Sequence, residues 1–291
     1  MKPLRTRLQE ARNRFGLPWE VLERDYILSW VLSGISRVEG LKDTLAFKGG
    51  SALKKCFFGE YRFSEDLDFS ATAGAPRVES IEKAMQEACE IAEILLNEYA
   101  HIEIICERYT EKEPHPGGQE AFNIRVRFPW QRQVHTRIMV EISMDEKVLK
   151  PSDERLIIHG YGEFIDSRVR VYALEEIAAE KLRAILQQAE QFEKRGWSRS
   201  RARDYYDLWC VLKTYGNQMN MAGFNSFLLE KCAVRNVSFG GPDDFFQGRM
   251  LSYVEKTWEQ WLGPLVPSLP PFETVIGELK PQIGSLIEGN H

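Results

Sequence analysis

A turn-forming motif near residue 50 has the composition of a phosphate-binding loop. Gly49 and Gly50 follow a short apolar stretch that ends at Lys48, and Ser51 comes directly after them. Glycine lets the backbone approach an anion closely, and the N–H groups at the start of a following helix can donate to it. Ser51 can add one more hydrogen bond. The motif therefore indicates a phosphate site, although Gly-Gly-Ser by itself is also common in ordinary turns.

A pair of acids follows a short distance further along the chain. Asp66 and Asp68 are separated only by Leu67, and Phe69 continues the alternation. In a strand, residues two apart point to the same face, so the two carboxylates are expected to project together, away from the apolar side chains. Carboxylate oxygens suit a hard cation such as magnesium, which usually also holds substrate phosphates. An isolated Asp-x-Asp also occurs in solvated loops, so its context matters.

The order of elements around the two motifs favours the functional interpretation. Leu45–Lys48 is predicted as a strand, the glycines as a turn and Ala52–Phe57 as a helix, and a second strand then carries both acids. This order brings a phosphate-binding turn and a pair of metal ligands into one place. The combination predicts a metal-dependent nucleotidyl-transfer site.

The middle of the chain predicts three further strands. Apolar and polar residues alternate in His101–Arg108, Phe122–Phe128 and Arg137–Ser143. Such alternation is typical of a sheet with one apolar face and one polar face. Glu141 is expected on the polar face, either as a carboxylate of the site or as an ordinary exposed residue of a strand.

The pattern becomes helical from Leu174 onwards. Lys181 falls within the apolar stripe of this helix, so its ammonium group must reach an edge or a polar cavity. Arg183 lies off the stripe and is expected at the surface. Residues Arg203–Thr214 predict a further helix with Asp204 near its start, where an acid in the first turn is also favoured by the helix dipole.

A run of cations leads into this last helix. The segment Lys194–Arg203 contains five cations and no acid. Such a run is often a solvated loop. Its position directly before Asp204 also suits contact with the phosphates of a nucleic acid.

The composition limits the class of protein. A chain of 291 residues, 43% of them hydrophobic, can form two domains or one large one with a well-buried core. The net charge of −5 argues against a uniformly basic nucleic-acid binder but permits a local basic groove. We expect neither a membrane span nor a signal peptide. The five scattered cysteines fit reduced thiols and therefore a cytoplasmic location.

The two motifs together closely resemble a known family, the AbiEii/AbiGii-type nucleotidyltransferase toxins of the DNA-polymerase-β-like superfamily. The similarity covers roughly residues 15–215. The segments that carry it are Phe47–Leu53, Arg62–Phe69, Trp19–Tyr26, Glu180–Ala184 and Arg203–Leu208. The first two are specific in combination, whereas each of the others is weak alone.

The resemblance implies a fold and a reaction. The fold would be α/β (α+β), with a polymerase-β-like mixed sheet flanked by helices and a helical C-terminal domain. We place the nucleotidyltransferase domain at residues 1–165 and the helical domain at residues 166–291. The reaction would move a nucleoside monophosphate from a nucleoside triphosphate (NTP) to an acceptor and release pyrophosphate.

The resemblance also implies a metal site. In this superfamily a third carboxylate from a later strand normally completes the metal cage. Asp66, Asp68 and Glu141 would then bind Mg²⁺ or Mn²⁺, with Asp145 as the weaker alternative for the third ligand. The backbone at Gly50 and Ser51 would hold the outer phosphates.

Two further site residues are implied in the second half of the chain. Lys181 matches the recurrent site lysine of these toxins, whose expected work is contact with the triphosphate. An acid of the Arg-Asp-x-x-Asp-Leu element belongs to the active site in related toxins. Asp204 is the first choice for it and Asp207 the second, because residues three apart share a helix face.

The acceptor and the partners follow from the resemblance as well. Relatives act on RNA, notably tRNA 3′ ends, and belong to toxin–antitoxin and abortive-infection systems, so a cognate antitoxin is expected. Two other functions stay open. One is transfer to a small molecule or a protein hydroxyl, and the other is a nonenzymatic nucleotide-binding module.

Overall fold

The chain folds into two compact units, Met1–Tyr172 and Ala173–His291, called here the N-terminal and C-terminal units. The structure, a computed structural model, describes residues 1–110, 119–133, 135–196 and 199–288. The division follows Tyr172, whereas residue 165 was the expected boundary. The reason is a last strand, Arg168–Val171, whose Val171 pairs with Phe47 and so belongs to the sheet of the first unit.

Within the described residues, seven strands of the N-terminal unit form one mixed sheet in the order β3-β4-β5-β2-β1-β7-β6. The strands are β1 (Leu45–Lys48), β2 (Leu67–Ala71), β3 (Glu103–Arg108), β4 (Gln119–Arg127), β5 (Thr136–Ser143), β6 (Asp153–Leu156) and β7 (Arg168–Val171). The β2–β5 and β1–β7 pairs are parallel, and the remaining pairs are antiparallel. The predicted mixed sheet is confirmed.

The two faces of the sheet differ as the alternation predicts. In β4, Phe122, Ile124 and Val126 are completely buried, whereas Asn123 and Arg125 between them are half-buried. Because Cβ atoms alternate across a strand, every second residue of neighbouring strands joins one apolar face. The other face is left to polar side chains, and it carries the candidate site.

Helices of the N-terminal unit flank the sheet. They are α1 (Leu4–Phe15), α2 (Trp19–Ile35), α3 (Glu39–Lys42), α4 (Gly49–Ala52) and α5 (Glu79–Asn97). Helices α2 and α5 pack so closely that a Cβ added at Gly34 would clash with the carbonyl oxygen of Ala88. Tyr26 of α2 lies against Phe128 at the end of β4, with ring centroids 6.4 Å apart. Helix α2 thus covers the apolar face.

The described part of the C-terminal unit is helical, which confirms the predicted helical domain. Its helices are α6 (Leu174–Arg195), α7 (Ala202–Tyr215), α8 (Phe224–Ala233), α9 (Gly248–Leu262) and α10 (Phe272–Glu288), with a short 3-10 helix at Pro242–Phe246. The predicted helix at Arg203–Thr214 matches α7 to within one residue at each end. Among the described residues, every helix is too short or too polar to cross a membrane.

Candidate functional site

The Gly-Gly turn connects β1 to α4 and brings the backbone close to two charged side chains. Gly49 has a φ of +77°, a conformation that L side chains rarely adopt, and a Cβ there would lie 2.7 Å from Oδ2 of Asp68. A Cβ at Gly50 would clash with the guanidinium of Arg62. Both glycines are therefore required by neighbours within the protein, before any ligand is considered.

Three charged residues lie in one row across the sheet beside this turn. Lys48 of β1 is directly opposite Asp68 of β2, and Asp68 is directly opposite Glu141 of β5. Neighbouring strands are about 4.8 Å apart, so residues in register on one face are in reach of each other. The row places Asp68 between an ammonium group and a second carboxylate. Asp145 lies beyond the end of β5 and is exposed.

Asp66 stands outside the strand on which it was expected. Strand β2 begins at Leu67, and Asp66 is an exposed residue directly before it. Among the residues that the structure describes, no group of three or more Asp, Glu, His or Cys side chains is arranged to hold a metal. The donor set that the fold itself brings together is the pair Asp68 and Glu141.

Ser51 is turned inward. It is 1% exposed, its hydroxyl donates to the main-chain carbonyl of Asp66, and it lies 2.7 Å from the hydroxyl of Ser64. The serine was expected to donate to a phosphate, but its proton is used within the protein. Ser51 thereby ties the start of α4 to the segment that carries Asp66.

Lys48 is a site residue to which the sequence motif gave no role. Its ammonium nitrogen lies 3.3 Å from the hydroxyl of Ser143 and 5.8 Å from the ring centroid of Tyr172. Tyr172 in turn donates to the hydroxyl of Ser70, at 2.5 Å. The sequence shows only that Lys48 ends the strand that leads into Gly49. That Lys48 lies opposite Asp68 follows from the register of β1 and β2.

A buried ion pair holds the helix behind the turn. Residues Leu53–Phe58 continue α4 as a π-helix, a wider winding that is frequent at functional sites. Within it, the ammonium group of Lys55 lies 2.8 Å from Asp25 of α2, and Asp25 also accepts from the hydroxyl of Tyr161 at 2.9 Å. Burial lowers the pKa of Lys55 to about 8, although the carboxylate of Asp25 opposes this shift.

A second polar cluster lies within the C-terminal unit. The ammonium group of Lys181 is 2.6 Å from Asp207 and 3.1 Å from Asp204. Arg201 reaches the other oxygen of Asp204 at 3.2 Å and also donates to the side-chain oxygen of Gln188 at 3.1 Å. The lysine of the apolar stripe is buried, and both candidate acids bind its ammonium group.

The charge balance of this cluster affects what Asp204 can do. Burial would raise the pKa of Asp204, but the cations of Lys181 and Arg201 outweigh it and hold the pKa below its ordinary value. A carboxylate with a lowered pKa is a weak base. The carboxylate of Asp204 is therefore better suited to orienting another group by a hydrogen bond than to removing a proton.

The described cations of the run Lys194–Arg203 differ in their surroundings: some are exposed, and others contact neighbouring side chains. Arg195 and Arg199 are exposed, whereas Arg201 binds Asp204 and Arg203 lies 5.7 Å from the ring centroid of Trp261. The two residues at the centre of the run, 197 and 198, lie outside the described residues. Only part of the run is thus presented to solvent.

Arg183 is not at the surface, so that expectation was wrong. It is 6% exposed, and it donates to the main-chain carbonyl of Lys231 at 3.0 Å. Lys231 is itself completely buried, with its ammonium group 2.8 Å from Glu176 and 3.1 Å from Glu180. Helix α8 packs on the side of α6 that the apolar stripe left polar, which buries Arg183.

Comparison with known proteins gives a family and a fold. Residues 30–278 match the family model described as nucleotidyl transferase AbiEii toxin, type IV TA (toxin–antitoxin) system. No curated protein sequence matches the chain. The structure of MenT4, a nucleotidyltransferase toxin from Mycobacterium tuberculosis H37Rv, is similar with a TM-score of 0.63 and 18% identity, over 93% of this chain and 85% of that one.

A second solved structure is much less similar. It is an antigenic nucleotidyltransferase-like protein from Paracoccidioides brasiliensis, with a TM-score of 0.33 and 14% identity over 76% of this chain and 97% of that one. A score this low does not indicate a shared fold. The family match, which spans most of the chain, agrees with the resemblance in the glycine and aspartate motifs. The chain is a nucleotidyltransferase and belongs to the AbiEii toxin family of type IV toxin–antitoxin systems.

Proposed function

We propose that this nucleotidyltransferase moves a nucleoside monophosphate from an NTP to the 3′ end of an RNA, with tRNA as the acceptor, in a reaction that depends on Mg²⁺ or Mn²⁺. The observation that carries the proposal is the row of Lys48, Asp68 and Glu141 beside the Gly49 turn. The two carboxylates of this row can bind a divalent metal ion. The ammonium group of Lys48 and the main chain of the turn can bind phosphate.

The donor set fits a hard divalent cation. Magnesium is usually bound through one or two carboxylates together with substrate phosphates, and Asp68 and Glu141 are two such carboxylates in register. Asp66, one residue before the strand, is the proposed third ligand. The chemistry that a bound cation supplies here is polarisation of the α-phosphate and stabilisation of the leaving pyrophosphate.

The chain's own groups would bind and orient the triphosphate. The N–H groups of Gly50 and Ser51 lie in the first turn of α4, where main-chain donors have no acceptor within the helix. The hydroxyl of Ser51 already donates to the carbonyl of Asp66. We therefore assign the main-chain N–H of Ser51, and not its hydroxyl, to the phosphates. Lys48 would offset one of the two negative charges of Asp68 and Glu141 before the cation binds.

Lys181 and Asp204 keep the roles proposed from the family. Lys181 is assigned to the triphosphate, and Asp204 to orientation of the acceptor hydroxyl, since its lowered pKa disfavours a role as base. Preorganised charge would then supply most of the rate enhancement, without a covalent enzyme intermediate.

The reaction is tested with purified protein, each labelled NTP in turn, and total RNA. We expect label in RNA and release of pyrophosphate with Mg²⁺ present, and neither product with a chelator. Asp68→Asn and Glu141→Gln should nearly abolish transfer, because each removes a ligand charge at constant volume. Asp145→Asn is the matched control and should retain activity. Normal turnover in the Asp68 variant would refute the metal site.

The acceptor is tested on the exposed part of the cationic run. Arg195→Gln with Arg199→Gln should raise the Michaelis constant for RNA and reduce the salt slope of binding, by about 0.7 per lost contact to single-stranded phosphate. Arg5→Gln with Arg12→Gln, two exposed arginines of α1, is the control with the same change of charge. If the two pairs behave alike, the run is a solvated surface, and a small molecule or a protein hydroxyl becomes the better acceptor.

The toxin role is tested in cells. Expression of the chain alone in a bacterium should slow growth, and Asp68→Asn should relieve this effect. Coexpression of a neighbouring antitoxin gene should restore growth as well. Harmless expression of a demonstrably active enzyme would contradict the toxin role and leave the chemistry intact.

A further inference from the structure

A basic cavity lies at the other end of strand β1 from the candidate site. The candidate site adjoins the carboxyl end of β1, at Lys48. The cavity, of about 570 Å³, adjoins the amino ends of β1 and β7, which run parallel. Its volume falls within the range of roughly 300–1,000 Å³ that is common for small-molecule sites. It is therefore a separate place on the N-terminal unit.

Cations dominate the lining of this cavity. Arg37 follows α2, Lys42 ends α3, and Arg168 and Arg170 come from β7. The lining also holds two acids, Glu154 and Asp166. No ion pair joins any of these four cations to a carboxylate in the part of the chain that the structure describes. The two acids therefore offset part of this charge, and the described lining keeps two more cations than acids.

Two of the arginines are held in place by groups that carry no charge. The Nε of Arg37 donates to the hydroxyl of Ser167 at 3.4 Å, and Ser167, itself 6% exposed, lies 2.8 Å from the hydroxyl of Ser33. Arg170 donates through Nη1 to the main-chain carbonyl of Asp43. Each of the two guanidiniums has one such contact and keeps further N–H donors for a ligand.

The arrangement matches the chemistry of phosphate recognition. A guanidinium has five donors in a planar fork that fits phosphate oxygens, and it cannot lose its charge. Fixing such side chains in advance reduces the entropy lost on binding. We propose that this cavity is a second phosphate-binding site, which takes the phosphate groups of a free nucleotide or of an RNA backbone. The proposal does not depend on the metal site or on the acceptor named above.

Direct binding measurements test the cavity. Arg37→Gln with Arg168→Gln removes two of its cations, and both side chains are exposed, so the fold should be retained. The control pair is Arg5→Gln with Arg12→Gln. The first probe is inorganic pyrophosphate, titrated by calorimetry in the presence of a chelator, because removal of divalent cations weakens binding at the proposed metal site and any remaining binding there is the same in the cavity variant and in the control. The second probe is a labelled single-stranded RNA, measured at several salt concentrations.

The two probes separate the two sources of phosphate. If free phosphate is the ligand, the cavity variant should bind pyrophosphate about tenfold or more weakly for the lost charged hydrogen bonds, with the control unchanged. If the RNA backbone is the ligand, the variant should lose RNA affinity and its salt slope should fall by about 0.7 per lost contact. Unchanged binding of both probes, or an equal loss in the control pair, would overturn the proposal. Failure of nucleotidyl transfer itself would not affect any of these readings.

Discussion

The carboxylate of Asp68 packs against the α-carbon of Gly49, so that a methyl group on Gly49 would come within 2.7 Å of Oδ2. The glycine of the turn and the acid of the next strand therefore form one unit. The turn can hold its left-handed backbone, and the carboxylate can stay in its row with Glu141, only while position 49 has no side chain.

Gly49→Ala is expected to abolish transfer for this reason. An alanine at positive φ costs about 1–2 kcal/mol, and the methyl group must also displace Asp68. Gly74→Ala is the matched control, because Gly74 has a φ of +86° but its added Cβ would meet only Thr44, at 3.9 Å. Urea unfolding should show a loss of stability for both variants, larger at position 49 because of the clash with Asp68, whereas activity should fall only at position 49. Equal activity in the two would contradict the contact.

Ser51→Ala separates a role in phosphate binding from a role in positioning. Since the hydroxyl of Ser51 donates to the carbonyl of Asp66, its loss should loosen the segment that carries that acid. We expect a lower kcat and a higher concentration of Mg²⁺ for half-maximal rate, with little change in the KM for NTP. The opposite result, a raised KM at an unchanged metal requirement, would show that the serine acts on the triphosphate.

Lys181→Ala should affect stability as well as activity. The side chain of Asp207 is 0% exposed, and removal of its lysine leaves a buried charge without that partner, at a cost of about 3–5 kcal/mol. Lys213→Ala, which breaks an exposed pair with Glu278, should leave the unfolding midpoint nearly unchanged.

The double variant Lys181→Met with Asp207→Leu then isolates the chemical role of the lysine. Because both charges are replaced by apolar groups of similar size, stability should return towards that of the natural protein, while transfer stays lost. Recovery of activity together with stability would mean that Lys181 serves only to neutralise Asp207.

Acid should destabilise the N-terminal unit through His159. Burial lowers the pKa of His159 below its ordinary value of 6.5, although Glu163, 3.2 Å away, opposes the shift. Between that lowered pKa and pH 6.5 the unfolded chain holds a proton that the folded chain lacks, so stability falls as the pH falls through this window. The slope can reach at most about 1.4 kcal/mol per pH unit.

The matching measurement is urea unfolding between pH 7 and pH 5. His159→Gln should flatten the pH dependence, whereas His101→Gln, an exposed control, should not. The carboxyl of Glu163 contributes in a different window. Hydrogen bonds from His159, Arg7 and Tyr26 outweigh its burial and lower its pKa to about 2, so its contribution is lost only below about pH 4.5. An unchanged slope in the His159 variant would contradict the assignment.

Periodicity alone determined most of the framework. The alternation in β4 and β5 identified their buried faces, and the spacing from Leu174 identified α6, because local burial patterns follow directly from the period of each element. The same patterns put Glu141 on the polar face and Lys181 on an apolar stripe. The glycine and aspartate motifs indicated the family, which the match over residues 30–278 shows.

Only tertiary structure decided which partners those residues meet. The register of β1, β2 and β5 put Lys48 beside Asp68, and no local pattern specifies a register between strands distant in the chain. The short β7 joined the first unit through one pairing with β1, which moved the boundary beyond residue 165. Packing of α8 on α6 buried Arg183, whose sequence neighbourhood is that of a surface residue. In each case the deciding contact joins residues far apart in the sequence, so its energy is set by packing, not by local propensity.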